Sequence, residues 1–395
     1  MKTPTYYQLE NKCRISGEPI SSSDVISHFD ELPIPGLFFE SAESARDKKI
    51  PMTLVKSKKA GFMQLSQTMD GSLYRFYKSG QSDANHFSWL ENIAGQMSKH
   101  FDLVTPVLEV GGGKGFLLNQ LKKAGFHNLF NVDPSDDNMD QEDFVSLVGL
   151  FPQGVDLTKY KHLFGCIIGQ HFLEHVPNPV EVLKGASDLL AADGELWIEV
   201  PNMDIGEENC FVQASFFYPL HLNHFTRRTL TLAGQYAGLE LISMELVDHY
   251  GKSLWAKFKK GGATQKSSCF HDTENLSAYI QQYFTDLKSF ASKLPTEILC
   301  WGAAEKSHTI LSILAGYGVK PIGIFDSNPD LQGLYLSGFS LQIQNRNELP
   351  FDPPHLLVLS PMKHKEIVNG IKDKLSTSSQ IHVPFVGHLT LRDYD

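Results

Sequence analysis

Cysteine is scarce: five in 395 residues, Cys13, Cys166, Cys210, Cys269 and Cys300, scattered, odd in number and never paired as Cys-x-x-Cys. That excludes a disulfide framework and points to reduced thiols. No apolar run reaches the roughly 18 residues a membrane helix needs, and the opening MKTPTYYQLENK lacks the apolar stretch of a signal peptide. A cytoplasmic location without a membrane partner is the expectation. Positive charge is also short, with 35 Lys and Arg against 45 Asp and Glu and a formal net charge of −10. Phosphate backbones are held by clustered Lys and Arg, so nucleic acid is not an expected partner. Core-forming residues are plentiful: 42% of the chain is hydrophobic and 11% aromatic, which argues against disorder. At roughly 150 residues per domain, the length suggests two or three domains.

Residues 1–81 are turn-rich, with short apolar pieces such as Pro33 to Phe39 and Met52 to Val55, and read as a small irregular module. Beyond Ser82 and Asp83, Phe87, Leu90, Ile93, Ala94, Met97 and Phe101 recur at helical spacing. From Pro106 onward, apolar runs (VLEV, NLFNVD, GCIIGQ, ELWIEV) alternate with amphipathic stretches, the mark of a parallel α/β architecture. Asn178 and Pro179 stand where a helix should begin, ahead of Val182, Leu183, Ala186, Leu189 and Leu190. The small, polar GGATQKSS (261–268) marks a linker, so one domain is placed at 82–262 and another at 269–395. The latter opens with a helical stripe from Leu276 to Leu294. It continues as a second α/β unit: EILCWG, a helix from about Ala304 to Tyr317, PIGIFDSNP, HLLVLSP, a helix around Ile367 to Leu375, and HVPFV. Both α/β regions share one plan, a strand ending in glycine (Gly111, Gly302), a helix, and a strand ending in aspartate (Asp133, Asp326).

Three segments carry chemistry. In VLEVGGGKGFLL (107–118), Glu109 precedes Gly111, Gly113 and Gly115 between a predicted strand and helix. Such glycines let backbone approach a ligand at a helix amino terminus. A dinucleotide turn would read Gly-x-Gly-x-x-Gly, whereas this spacing by two resembles motif I of class I S-adenosylmethionine-dependent methyltransferases. Asp133, closing NVDP, is suited to accepting hydrogen bonds from ribose hydroxyls. The second segment, GQHFLEHVPNP (169–179), places Gln170, His171, Glu174 and His175 at a strand end. Its His-x-x-Glu-His pattern would suit a zinc peptidase only inside a long helix, and Pro177 and Pro179 forbid one. The third, FYPLHLNHFT (217–226), gathers Tyr218, His221 and His224 before a helix capped near Thr226.

Taken together, these segments and their flanking modules resemble the nucleotide-sugar C-methyltransferases of deoxysugar biosynthesis over nearly the whole chain. The resemblance implies a zinc-binding module at the amino terminus, a Rossmann-like methyltransferase domain and a second Rossmann-like domain at the carboxyl terminus. The framework CRISGEPI, PMTLVKSKKAGFMQL is present, with Gly61 to Leu65 closing it, but of the four metal positions only Cys13 is a cysteine. Ser16, Ser57 and Ala60 occupy the others and cannot replace thiolates on zinc, so a module held by packing without metal is expected. In the carboxyl-terminal part, Gly302, Ala303 and Lys306 fall on a family pattern, and Lys306 is suited to neutralising a diphosphate.

The implied substrate is a nucleotide-linked 4-keto deoxysugar, and the implied cofactor S-adenosylmethionine. A base removes the proton beside the ketone, and the enolate carbon attacks the sulfonium methyl. By resemblance, His221 matches the base, His175 and Tyr218 match neighbouring active-site residues, and Tyr77 matches a tyrosine reaching in from the amino-terminal module. Gln170 and His171 fall to the cofactor, and Glu174 and His224 to the substrate, beside Lys306. Leu220 stands where the family commonly has glutamate, which leaves the base open among His221, His175 and Tyr77. An O- or N-methyltransferase on the same scaffold, or an inactive descendant, are the alternatives; sugar, nucleotide and oligomeric state are not legible.

Overall fold

The computed structural model describes residues 7–70, 73, 76, 84–135, 144–204, 220–250, 252–261 and 276–394. Both expected domain boundaries fall outside these stretches. The amino-terminal part forms β1 (Tyr7–Leu9), β2 (Val25–Pro33), β3 (Phe38–Phe39), α1 (Ala42–Arg46), β4 (Lys49–Lys56), β5 (Met63–Leu65) and β6 (Gln67–Met69). It is therefore a sheet rather than an irregular module, with β2, β4 and β5 as antiparallel neighbours. In β4, Ile50, Met52 and Leu54 face the core while Lys49, Pro51 and Thr53 alternate with them. In β2 two register shifts and four charged or polar residues break the alternation that would have announced a strand.

Helix α2 (Ala84–His100) buries Leu90, Ile93, Ala94 and Met97 together with Trp197 and Trp255, as the helical spacing predicts. The central part continues with β7 (Val107–Val110), α3 (Phe116–Lys123), β8 (Leu129–Asp133), β9 (Val145–Val148), β10 (Phe164–Gln170), α4 (Pro179–Leu189), β11 (Leu190–Pro201), β12 (Asn223–His224), α5 (Arg227–Tyr236), β13 (Leu239–Val247) and β14 (Ser253–Lys260). Its seven strands are ordered β13-β14-β11-β10-β7-β8-β9; β7 to β11 are parallel, and β14 runs antiparallel to β11 and β13. This is the Rossmann-like α/β methyltransferase fold. Chain order reverses between β7 and β10, and the carboxyl ends of parallel strands at such a switch point leave a crevice. Strand β12 departs from this sheet and pairs with β5, Asn223 opposite Gln64 and His224 opposite Met63. The segment bearing His221 and His224 is thereby sewn to the amino-terminal sheet.

The carboxyl-terminal part comprises α6 (Leu276–Ala291), β15 (Glu297–Trp301), α7 (Glu305–Gly316), β16 (Lys320–Phe325), β17 (Tyr335–Leu336), β18 (Ile343–Gln344), β19 (His355–Val358), α8 (His364–Gly370), β20 (Gln380–Val383) and β21 (Gly387–Thr390). Its sheet runs β18-β16-β15-β19-β20-β21, with only β21 antiparallel. One apolar cluster joins Leu32, Phe38, Met52 and Leu54 to Ile280, Phe284, Leu287, Ile310 and Leu314, so the first and last parts share a core. No helix among the described residues is long and apolar enough to cross a membrane.

The shared plan of the two α/β regions extends to individual hydrogen bonds. The Gly111 and Gly302 amides donate to the carbonyls of Val132 and Phe325, at 2.9 and 2.8 Å. Asp133 Oδ2 accepts from the Gly113 amide (2.9 Å) and Oδ1 from the Ser135 amide (2.8 Å). Asp326 does the same with Ala303 (2.7 Å) and Asn328 (2.8 Å).

Candidate active site

The glycine turn between β7 and α3 sits at the switch point. Gly111, Gly113 and Gly115 take φ of +75°, +48° and +70°, left-handed values that glycine adopts at little cost. A Cβ on Gly113 would meet nothing within 4 Å, so this residue faces open space. Gly112 has the tightest steric need: a Cβ there would lie 2.6 Å from both Asn131 Oδ1 and Glu109 Oε2. Glu109 is buried beneath the turn, and burial, aided by the negative charge of Asp133, pushes its carboxyl up to about 8. Asp133 also accepts from the Ser135 hydroxyl at 2.7 Å, so three of its roughly four lone pairs are taken within the chain.

Beside this turn, the end of β10 delivers a network of charge. Gln170 and the Trp89 indole donate to Glu199 Oε2, at 2.6 and 2.8 Å. His249 Nδ1 and His171 Nε2 lie 2.6 and 3.2 Å from Glu199 Oε1. The other nitrogen of His171, Nδ1, is 3.4 Å from Glu174 Oε1. That same oxygen lies 3.9 Å from Nε2 of both His175 and His221. His175 Nδ1 donates to the Leu220 carbonyl at 3.0 Å, and its ring meets that of His221 edge-on, centroids 4.8 Å apart.

These contacts set opposite charge states on neighbouring imidazoles. Burial works against a charge on His171, but Glu199 and Glu174 outweigh it and raise its pKa to about 10. Burial likewise opposes ionisation of Glu199, yet His171 and His249 hold it well below the usual carboxylate range. His221 is driven well below 6.5, first by burial and then by electrostatic repulsion from its neighbours His175, His224, His171 and Lys306. A cationic His171 and a neutral His221 thus share one shell.

The remaining expected residues divide. Lys306, in the first turn of α7, is close enough for its charge to act on His221, and burial lowers its own pKa. His224 is buried in β12 and pushed down to about 3 by burial and the Arg14 charge. Glu174, expected at the substrate, is 1% exposed and faces imidazoles instead. Gln170 and His171, expected at the cofactor, are both turned toward Glu199. Tyr77 and Tyr218 lie outside the described residues. Glu199, His249 and Trp89 were missed; the one available signal was a carboxylate inside the otherwise apolar run LWIEV. Leu220, where the resemblance implies a glutamate, is buried, and the carboxylate near His221 is that of Glu174.

Among the described residues, two groups bring together side chains of metal-ligand type, His171–Glu199–His249 and Glu174–His175–His221. In the first, Glu199 already accepts from four protein donors. At the amino-terminal metal framework, Cys13 and Ala60 are buried in one apolar cluster with Ile15, Phe62 and Phe225. The Lys59 and Ala60 amides donate to Glu18 Oε1 (3.0 and 3.3 Å), tying the two turns together through a carboxylate.

Residues 84–244 match the model of a methyltransferase domain family. The C-methyltransferase NovU of Streptomyces niveus is 24% identical over 261 residues, which cover 62% of this chain. The chain spans 59% of the length of that curated relative. Among solved structures, the CcbJ methyltransferase of Streptomyces caelestis is similar at 15% identity over 44% of this chain and 90% of its own, with a TM-score of 0.35. A methyltransferase of Aquifex aeolicus is similar at 14% identity over 45% of this chain and 98% of its own, with a TM-score of 0.32. Residues 84–244, which carry β7 to β12 and most of β13, are thus similar to a methyltransferase domain, and β14 of the same sheet lies beyond the matched stretch.

Proposed function

We propose that this chain is an S-adenosylmethionine-dependent C-methyltransferase acting on a nucleotide-linked 4-keto deoxysugar, beside whose ketone it makes a carbanion. The observation that carries the reading is the pairing of His175 with His221, both 3.9 Å from buried Glu174, at the end of the sheet where Gly113 opens onto the crevice. The glycine turn fits S-adenosylmethionine: Gly113 leaves room, and Asp133 keeps one lone pair for a ribose hydroxyl. When bound, the cofactor supplies an electrophilic methyl group.

Everything else falls to side chains of this chain. His221, neutral and largely shielded from water, accepts the proton from the carbon next to the ketone; the C–H electron pair remains as an enolate. The positive charges of His171 and Lys306 that depress the basicity of His221 favour that developing negative charge. Lys306 also faces the diphosphate, at the start of α7. His224, buried in β12, receives no substrate contact in this reading, and Tyr77 and Tyr218 remain candidates by resemblance.

The test is incubation of the purified chain with labelled S-adenosylmethionine and a panel of dTDP, GDP and CDP 4-keto sugars in heavy water. The expected outcome is loss of the proton beside the ketone and label on carbon. No exchange with any sugar, and label on oxygen or nitrogen of another acceptor, would replace this reading by an O- or N-methyltransferase. Replacement His221→Asn is expected to lower turnover by roughly a hundredfold with cofactor binding intact. Unchanged turnover would move the base to His175 or Tyr77.

A further inference from the structure

Behind the two imidazoles runs a buried chain of groups, Glu199 to His171 to Glu174, in which the reaction above gives Glu199 and Glu174 no role in the proton step. A single oxygen, Glu174 Oε1, stands 3.4 Å from His171 Nδ1 and 3.9 Å from Nε2 of both His175 and His221. We infer that Glu174 is the positioning residue of the site: it orients His175 and His221 and holds the imidazolium formed when one of them takes a proton, while His171, braced by Glu199, keeps it in place.

Three observations carry this. First, burying a carboxylate is costly unless donors or opposite charge surround it. Glu174 is 1% exposed, no described residue hydrogen-bonds its carboxylate at conventional geometry, and the charged or titratable groups near it among the described residues are the imidazoles of His171, His175 and His221. Second, the two carboxylates are unequally partnered. Glu199 is met by His249 at 2.6 Å and by His171, Trp89 and Gln170, whereas among the described residues Glu174 has His171 at 3.4 Å and then the two imidazoles at 3.9 Å, so an imidazolium at His221 or His175 would face the less compensated carboxylate. Third, the His175 tautomer is set. Its Nδ1–H donates to the Leu220 carbonyl, so in the neutral ring Nε2 presents a lone pair on the side of Glu174. Two acceptors face each other at 3.9 Å, and a proton on Nε2 turns their repulsion into the attraction of an ion pair.

Other groups act on the same imidazoles. His171 and Lys306 of α7 oppose a charge on His221, His175 and His224 are its other titratable neighbours, and Glu174 is the countervailing group. In the proton step the C–H electron pair stays on the substrate carbon, the proton goes to an imidazole nitrogen, Glu174 stays unprotonated, and the proton leaves to solvent after methyl transfer.

The proton step rests on the function proposed above; the coupling of Glu174 to the imidazoles does not, and the experiment separates them. Full-length Glu174→Gln is compared with wild type by ¹⁵N-imidazole NMR titration without substrate, and by kinetics with a 4-keto nucleotide sugar. The expected result is a fall of about one unit or more in the pKa of His221. Turnover falls about tenfold or more, KM changes little, and the acid limb of the kcat profile is displaced. Glu174→Asp, which restores the charge, recovers part of the titration shift and of the turnover. Identical imidazole titrations in wild type and Glu174→Gln overturn the inference, as does lost turnover with an unmoved pH profile. Should wild type leave every keto sugar untouched, the substrate reading fails while the titration still decides the role of Glu174. If Glu174→Gln does not fold, the titration of Glu174→Asp decides: no displacement from wild type overturns the inference.

Discussion

Glu109 is in its protonated form at neutral pH, because burial and the charge of Asp133 raise its carboxyl from 4.5 to about 8. Between those values the folded chain keeps a proton that the unfolded chain has released, so this residue makes stability fall as pH rises through the window. Glu109→Gln has nearly the same shape and no charge to bury. It is expected to match the wild-type Tm at pH 5 and exceed it at pH 9, with cofactor affinity unchanged at pH 6. A Tm below wild type at pH 9 would show that the ionised carboxylate is needed. The glycines above it show how much a single residue tells. Spacing marked Gly111, Gly113 and Gly115, and their left-handed φ values agree. The steric demand at Gly112, however, comes from Asn131 and Glu109 pressing on it in three dimensions, and no spacing rule contains that.

At the scale of elements, the parts legible in the sequence were those with local periodicity. Helix α2, the strands β7, β8, β10 and β11, and the caps at Pro179 and Thr226 all follow from patterns within a dozen residues. Strand β2 was hidden by its bulges, and β12 is two residues long and has meaning only beside β5. Glu199 and His249 escaped for the same reason, since 50 residues separate partners that meet at 2.6 Å. The amino-terminal turns illustrate what a through-space contact does for an element. With one cysteine among four framework positions, cross-linking falls to Glu18, whose Oε1 accepts the Lys59 and Ala60 amides while its own carbonyl accepts the Cys13 amide. Glu18→Ala leaves the exposed Lys59 amide to water and the part-buried Ala60 amide without that acceptor, and is expected to cost about 0.5–1.5 kcal/mol, read as a lower Tm. We also expect chelator treatment to leave the Tm of the wild-type chain unchanged. A chelator-dependent fall, with zinc in the purified protein, would show that the framework still takes metal.

Across the whole molecule, the three parts are joined at places that hold neutral histidine. His308 of α7 is fully buried and its Nδ1 accepts the Gly36 amide at 3.3 Å, linking the last part to the first; burial pushes it down to about 3. His224, in the strand that links the central part to the first, is also near 3 through burial and the Arg14 charge. His382, between His355 and His388 on β19 to β21, is lowered to about 4 by burial and then by those two imidazoles. His221 is driven down as well, again chiefly by burial. In the unfolded chain all four titrate near 6.5, so below that pH unfolding takes up protons that the folded state refuses, and their stabilising contribution is lost as pH falls from 6.5 toward 4. Glu109 opposes them with one proton in the same window. His171, raised to about 10, opposes them too above 6.5, so net proton uptake on unfolding sets in below that pH, at about 1.4 kcal/mol per pH unit for each proton. Urea unfolding at pH 6.5, 6 and 5.5 should therefore show a fall in stability that steepens toward the acid end. His308→Gln, whose side-chain oxygen can still accept the Gly36 amide, should reduce the slope at the acid end by about one proton. Stability that stays level between pH 6.5 and 5.5, or a slope unchanged in His308→Gln, would mean that these imidazoles are reached by solvent in the folded chain.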